Sequence, residues 1–216
     1  MVHILGTQNS IFNQFIAEIR DVNMQKDSMR FRRNIERIGE VMAYELSKEL
    51  HYKNVAVDTP LGIKKTTEIA DSLVLCSILR AGLPLHMGFL NYFDAAENGF
   101  ISAFRHHPGQ DDSFEIVVQY QAVADINGKN IVLIDPMLAT GQSIVAVFNK
   151  LMERGSPKEI HIAVVIAAPE GIEYLEKHLP ESCHLWVASL DEKLNKKSYI
   201  VPGLGDAGDL AYGNKL

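Results

Sequence analysis

Five short runs dominate the chain after residue 72: "LVLCSIL" (73–79), "ISAF" (101–104), "NIVLID" (130–135), "IHIAVVIAA" (160–168) and "HLWVAS" (184–189). Each is an almost unbroken series of apolar, strand-favouring residues with few charges. A strand wetted on one face alternates apolar and polar side chains, whereas a strand covered on both faces does not. Helix-like stretches follow several of the runs, namely "LPLHMGFLNYF", "SIVAVFNKLMERG" and "EGIEYLEKHL". Strand, helix and strand in repetition specify an α/β fold, a doubly wound and mainly parallel sheet with helices on both faces. In such sheets ligands bind beyond the carboxyl ends of the strands, so chemistry is sought in the residues just after each run.

The amino-terminal third reads differently. "DSMRFRRNIERIGEVMAYELSKEL" carries Phe31, Ile35, Ile38, Met42 and Leu46 at helical spacing, with Asp27 and Ser28 as candidate caps. "NVAVDTPLGIKKTTEI" alternates around "LG" and reads as a two-stranded hairpin. A chain of 216 residues without linker-like stretches is expected to form a single domain, 1–216. The formal charge of -6 argues against affinity for nucleic acid or anionic membranes, and an anionic substrate would need cations supplied locally. Cys76 and Cys183 sit in apolar runs and are expected to be buried free thiols. With no long apolar span and no signal-peptide layout, a cytoplasmic protein is expected.

Near the carboxyl end, "GLGDAG" (203–208) fits the dinucleotide fingerprint G-x-G-x-x-G by spelling. That fingerprint must follow an early strand and open a helix in a unit of about 30 residues. Only "DLAYGNKL" follows Gly208, so the dinucleotide reading fails on context. A P-loop is absent too.

"NIVLIDPMLATGQSIVAV" carries more chemistry. A buried strand ends in Asp135, and a tight turn leads to Thr140, Gly141, Gln142 and Ser143 at a helix amino terminus. Free backbone N–H groups and the helix dipole make that terminus a phosphate site, with hydroxyls from Thr140 and Ser143. A carboxylate repels phosphate, so Asp135 suits sugar hydroxyls instead. Acid and anion nest together describe a sugar-phosphate binder, although an ordinary βα turn has the same composition.

"IDPMLATGQS" closely resembles the loop by which uracil phosphoribosyltransferases bind 5-phosphoribosyl 1-diphosphate (PRPP). "ILRAG" (78–82), "AAPEGI" (167–172) and "YIVPGLGDAGD" (199–209) are similar to further motifs of that family, in its order. The resemblance covers most of the chain. It implies the phosphoribosyltransferase fold, with a core at about 70–190 and a hood formed by the amino- and carboxyl-terminal segments and a small β-hairpin. It also implies transfer of the phosphoribosyl group to uracil N1, giving UMP and pyrophosphate.

By the same resemblance, Asp135, Arg80 and Asp206 carry catalysis. Arg80 meets the pyrophosphate side of PRPP, and Arg105 is a second PRPP arginine, within a neighbourhood ("HHPGQDD") that departs from the family pattern. Asp135 holds the ribose hydroxyls, while Ala139, Thr140, Gly141, Gln142 and Ser143 hold the 5′-phosphate. Pro136, Met137 and Leu138 complete the loop. Backbone groups at Ile200, Gly205 and Ala207 meet the uracil edge, and Asp206 links it to PRPP. No protein metal cage is implied; Mg²⁺ is expected as cofactor, held chiefly by substrate oxygens and water. Some members are tetramers activated by GTP, so a homodimer or homotetramer and a GTP effector enter as expectations.

Two departures raise questions. Gln142 stands where the family has glycine, and a positive φ there would strain it. Ser77 replaces a proline, which is expected to loosen the following loop. His106 and His107 read as solvated loop histidines, Trp186 as core, and "AAPEGIEYL" as a structural helix start with no derivable role. Two other readings compete: a phosphoribosyltransferase for another base, and an RNA-binding regulator, which the acidic charge disfavours.

Overall fold

The computed structural model describes residues 1–106 and 115–215, without the side chains of 104–106 and 115–116. In chain order the elements are β1 (Val2–Ile4), α1 (Ile11–Arg20), α2 (Ser28–Ser47), β2 (Tyr52–Thr59), β3 (Gly62–Ile69), β4 (Leu73–Leu79), α3 (Leu83–Leu90), β5 (Glu97–His106) and β6 (Glu115–Val123). They continue with β7 (Asn130–Ile134), β8 (Met137–Leu138), α4 (Gln142–Met152), β9 (Glu159–Ala167), α5 (Pro169–His178), β10 (Cys183–Leu190), β11 (Lys193–Leu194), β12 (Ile200–Val201) and α6 (Ala207–Tyr212).

The central sheet runs β1-β10-β9-β7-β4-β5-β6, parallel except for the β5–β6 pair. The unbroken apolar runs serve both faces at once. Along β7, Val132 and Ile134 join the core beneath α1, α2 and α3, while Ile131 and Leu133 join the core beneath α4 and α5. A side-chain period of two with both faces covered favours apolar residues at successive positions. Trp186 is buried, as expected of a core residue. Cys76 is buried and its thiol is pushed up to about 12 by desolvation, whereas Cys183 is only half-buried; both thiols are free.

In α2, Asp27 is the cap, accepting from the amides of Met29 and Arg30, and Ser28 is the first helical residue. Among the described residues β2 and β3 pair only with each other, in one continuous antiparallel register. Ser77 lies within β4 and is paired on both sides, to Phe100 in β5 and Ile134 in β7.

Candidate active site

The carboxyl ends of β4 and β7, the amino end of α4 and the segment from Lys197 onward line one cleft of about 1000 Å³. Its base is the turn after β7. The Asp135 amide donates to the Ala163 carbonyl (3.1 Å), and the Pro136 carbonyl accepts from the amides of Val165 and Ile166 (both 3.0 Å). β8 then resumes pairing with β9, so the loop is held to the sheet along its length. Pro136 is consequently buried in the sheet and does not line the cleft, while Met137, Leu138, Ala139, Thr140, Gly141 and Ser143 do.

Asp135 is half-buried on the cleft wall. Desolvation pushes its carboxyl up to about 7, opposed by a hydrogen bond from the Met137 amide to Oδ1 (3.2 Å). Near neutral pH this group is therefore balanced between a neutral acid and an anion that accepts hydroxyl donors.

Gly141 resolves the question about Gln142. The left-handed residue at the start of α4 is Gly141 (φ 80°), and Gln142 is the first residue of the helix, with no positive φ. Gly141 is the N-cap and has no side chain to occupy the first amides, which leaves that terminus uncapped by the protein. Gln142 is half-buried and does not line the cleft.

"AAPEGI" acquires a role that its composition does not show. A Cβ on Gly171 would lie 2.3 Å from the Ala139 carbonyl oxygen, so only glycine lets α5 press against the loop. Glu170 Oε1 accepts from the Leu194 amide (2.9 Å), which holds the Glu170 carboxyl below its usual range and ties α5 to β11. One helix start thus braces both the loop between β7 and α4 and the hairpin that leads into the carboxyl-terminal segment.

Across the cleft stand Arg80, Tyr199, Ile200, Gly205, Asp206 and Ala207, together with residues the motifs did not flag: Ser102, Lys197, Ser198 and Lys215. Asn195 presents the turn, with Oδ1 accepting from the amides of Lys197 (2.9 Å) and Tyr199 (3.0 Å), and Ser198 takes a left-handed φ of 60°. The "NKKSY" spelling, an asparagine two residues before a lysine, was the available signal. Asp206 caps α6 by accepting from the Asp209 amide (3.0 Å). Arg80 Nη2 donates to Asp209 Oδ1 (3.0 Å) and to the Gly213 carbonyl (3.3 Å), while its buried Nε has no partner among the described residues. Arg105 falls on β5 opposite Ile116, but its side chain, like that of His106, lies outside the described residues, as does the whole of His107.

A parallel sheet whose acid-ended strand leads into a glycine-entered helix, facing an arginine after the neighbouring strand, defines the phosphoribosyltransferase class. The fold superposes on a hypoxanthine phosphoribosyltransferase from Staphylococcus aureus with a TM-score of 0.52 at 16% identity, covering 86% of this chain and 84% of that one. A far closer likeness is the AQ2163 protein from Aquifex aeolicus, with a TM-score of 0.87 and 29% identity over 99% and 98% of the two chains. The sequence model described as uracil phosphoribosyltransferase matches residues 6–214. A curated uracil phosphoribosyltransferase of Porphyromonas gingivalis is 50% identical over 212 residues, 98% of each chain. The chain belongs to the uracil phosphoribosyltransferase family.

Proposed function

We infer that the protein transfers the phosphoribosyl group of PRPP to N1 of uracil, with UMP and pyrophosphate as products, in pyrimidine salvage. The observation that carries this reading is the single cleft uniting Asp135, the uncapped start of α4, Arg80 and the glycine-rich loop at 200–207. In the reaction the ribose C1–O bond to pyrophosphate breaks, the N1–C1 bond forms, and the N1 proton is lost. The ribosyl centre is cationic in between, so the protein's work is positioning and charge stabilisation.

Ionised Asp135 accepts from the ribose hydroxyls. The amides opening α4, with Thr140 and Ser143, hold the 5′-phosphate, which arrives where the helix dipole is positive. Arg80 exchanges its contact with Asp209 for pyrophosphate oxygens, and Arg105 is assigned to PRPP with it. Backbone groups of Ile200, Gly205 and Ala207 meet the imide edge of uracil. That arrangement favours uracil over cytosine, whose donors are mismatched.

The cleft wall offers the carboxylates of Asp135 and Asp206, and among the described residues no group of three or more His, Cys, Asp or Glu could hold a metal. This donor set fits a Mg²⁺ ion held chiefly by substrate oxygens and reached by these carboxylates through water. When bound, magnesium supplies charge neutralisation for the leaving pyrophosphate.

The whole chain acts as one unit in this account, with the PRPP site on the core at about 70–190 and the base site on a hood. A homo-oligomer belongs to the same reading. An isolated two-stranded hairpin is marginal in water, yet β2–β3 projects with Leu61 99% and Ile63 71% exposed, which supports cover by a second copy. Light scattering of the purified protein tests this, and initial rates with and without GTP test the effector. A cytoplasmic location fits the free thiols, and no described helix is long and apolar enough to cross a membrane. Incubation with PRPP, Mg²⁺ and each free base tests the function itself: UMP is expected from uracil alone, and turnover of cytosine or hypoxanthine in its place would overturn the assignment.

A further inference from the structure

The loop at 202–206 is anchored from outside the cleft. Arg20, the last residue of α1, donates through Nη1 to Asp191 Oδ2 (2.9 Å) and to the Gly203 carbonyl (2.9 Å). Its Nη2 donates to Ser189 Oγ (3.1 Å) and to Asp191 Oδ1. Asp191 Oδ2 accepts in turn from the Gly203 amide (2.9 Å). Both backbone polar groups of Gly203 are therefore taken by one side-chain pair instead of by a strand partner. The Asp191 side chain is 3% exposed and that of Arg20 is 20% exposed, so the pair is largely shielded from water. Gly203 (φ 66°) and Gly205 (φ 94°) have no conformational memory of their own, and such a loop takes its shape from what grips it. Asp191 is fixed in turn by the sheet, since its amide donates to the Ala167 carbonyl (2.8 Å) at the end of β9.

We propose that Arg20 and Asp191 are positioning residues for uracil: the pair sets the spacing of the backbone groups at Gly205 and Ala207, and so determines how well the base is bound and told apart from cytosine. Neither side chain lines the cleft, so the pair acts only through the loop. The inference rests on the assignment of Ile200, Gly205 and Ala207 to the base. It also gives α1 a task in catalysis that the PRPP motifs do not cover.

The test is steady-state kinetics on three variants, varying uracil and PRPP separately. Asp191→Asn leaves the shape and removes the charge, and should raise KM for uracil about tenfold while KM for PRPP stays within about twofold. Arg20→Lys keeps the buried charge balanced, so it is expected to fold, but a lysine cannot span Ser189, Asp191 and Gly203 together; about fivefold on uracil KM is expected. Both should narrow the preference for uracil over cytosine. Gly205→Ala, strained at its positive φ, alters the base loop directly and should raise uracil KM. If Gly205→Ala does so while both anchor variants leave uracil KM unchanged, the inference fails and the base assignment stands. If Gly205→Ala also has no effect, the base assignment fails, and the inference with it. A parallel rise in both Michaelis constants would mark the pair as merely structural and overturn the proposal.

Discussion

Replacing Asp135 by asparagine should make the protein more stable and less active, with a pH dependence that ties the two effects together. The folded carboxyl is raised from 3.8 to about 7 by desolvation. Between those values the folded state keeps a proton that the unfolded chain has released, so stability falls as pH rises through this window and is level above it. A shift of about three units corresponds to about 4 kcal/mol at about 1.4 kcal/mol per unit. Water in the open cleft relaxes part of that cost, and about 2 kcal/mol is expected from a half-buried group. Asparagine keeps the acceptor for the Met137 amide and never ionises. Urea unfolding should therefore find Asp135→Asn more stable than the parent by about 2 kcal/mol at pH 8, with the gap smaller at pH 5 and closing as pH falls towards 4. In parallel, kcat/KM for PRPP should rise with pH in the parent and level off above about 7, and should be at least about tenfold lower in the variant at pH 8. A variant less stable than the parent at pH 8, or a gap independent of pH, would refute the reasoning.

Further substitutions probe the rest of the cleft. Asp209→Asn releases Arg80 from a partly exposed pair worth at most about 1 kcal/mol, so KM for PRPP should fall about twofold in steady-state assays. Gly141→Ala places a Cβ 3.0 Å from Tyr174 Cδ1 at a φ of 80° and should cost about 1–3 kcal/mol in unfolding experiments while weakening PRPP binding. Gln142→Gly should leave PRPP kinetics near the parent and lose at most about 1 kcal/mol, because position 142 is an ordinary first helical residue. Ser77→Ala removes a buried hydroxyl that has no partner among the described residues and should be neutral or stabilising by up to about 1 kcal/mol in the same unfolding assay.

The inner strands of the sheet were legible because they are covered on both faces, which writes a nearly unbroken apolar run at each of them. β1 was not, since three half-buried residues at an edge carry no such signature. α1 could have been found from Ser10, which caps it with Asn13 in reply, and from the spacing of Phe12, Ile16 and Ile19. In the loop between β7 and α4, the sequence raised a positive φ at Gln142 as a source of strain, and the structure assigns the left-handed turn to Gly141, freeing Gln142 from it. Other parts of the site depend on distance. Arg80 and Asp209 lie 129 residues apart, and Arg20 and Asp191 lie 171 apart, so no local pattern encodes either contact. Gly171 looked like an ordinary helix residue because its reason, the Ala139 carbonyl, belongs to another turn.

The crystal structure of the complex with UMP tests the account most directly, because one ligand carries both the phosphate and the base. The account predicts the 5′-phosphate on the amides opening α4, the ribose hydroxyls on Asp135, and the uracil edge on backbone groups between Ile200 and Ala207. A phosphate bound away from Thr140–Ser143, or a base held by side chains elsewhere in the cleft, would contradict it.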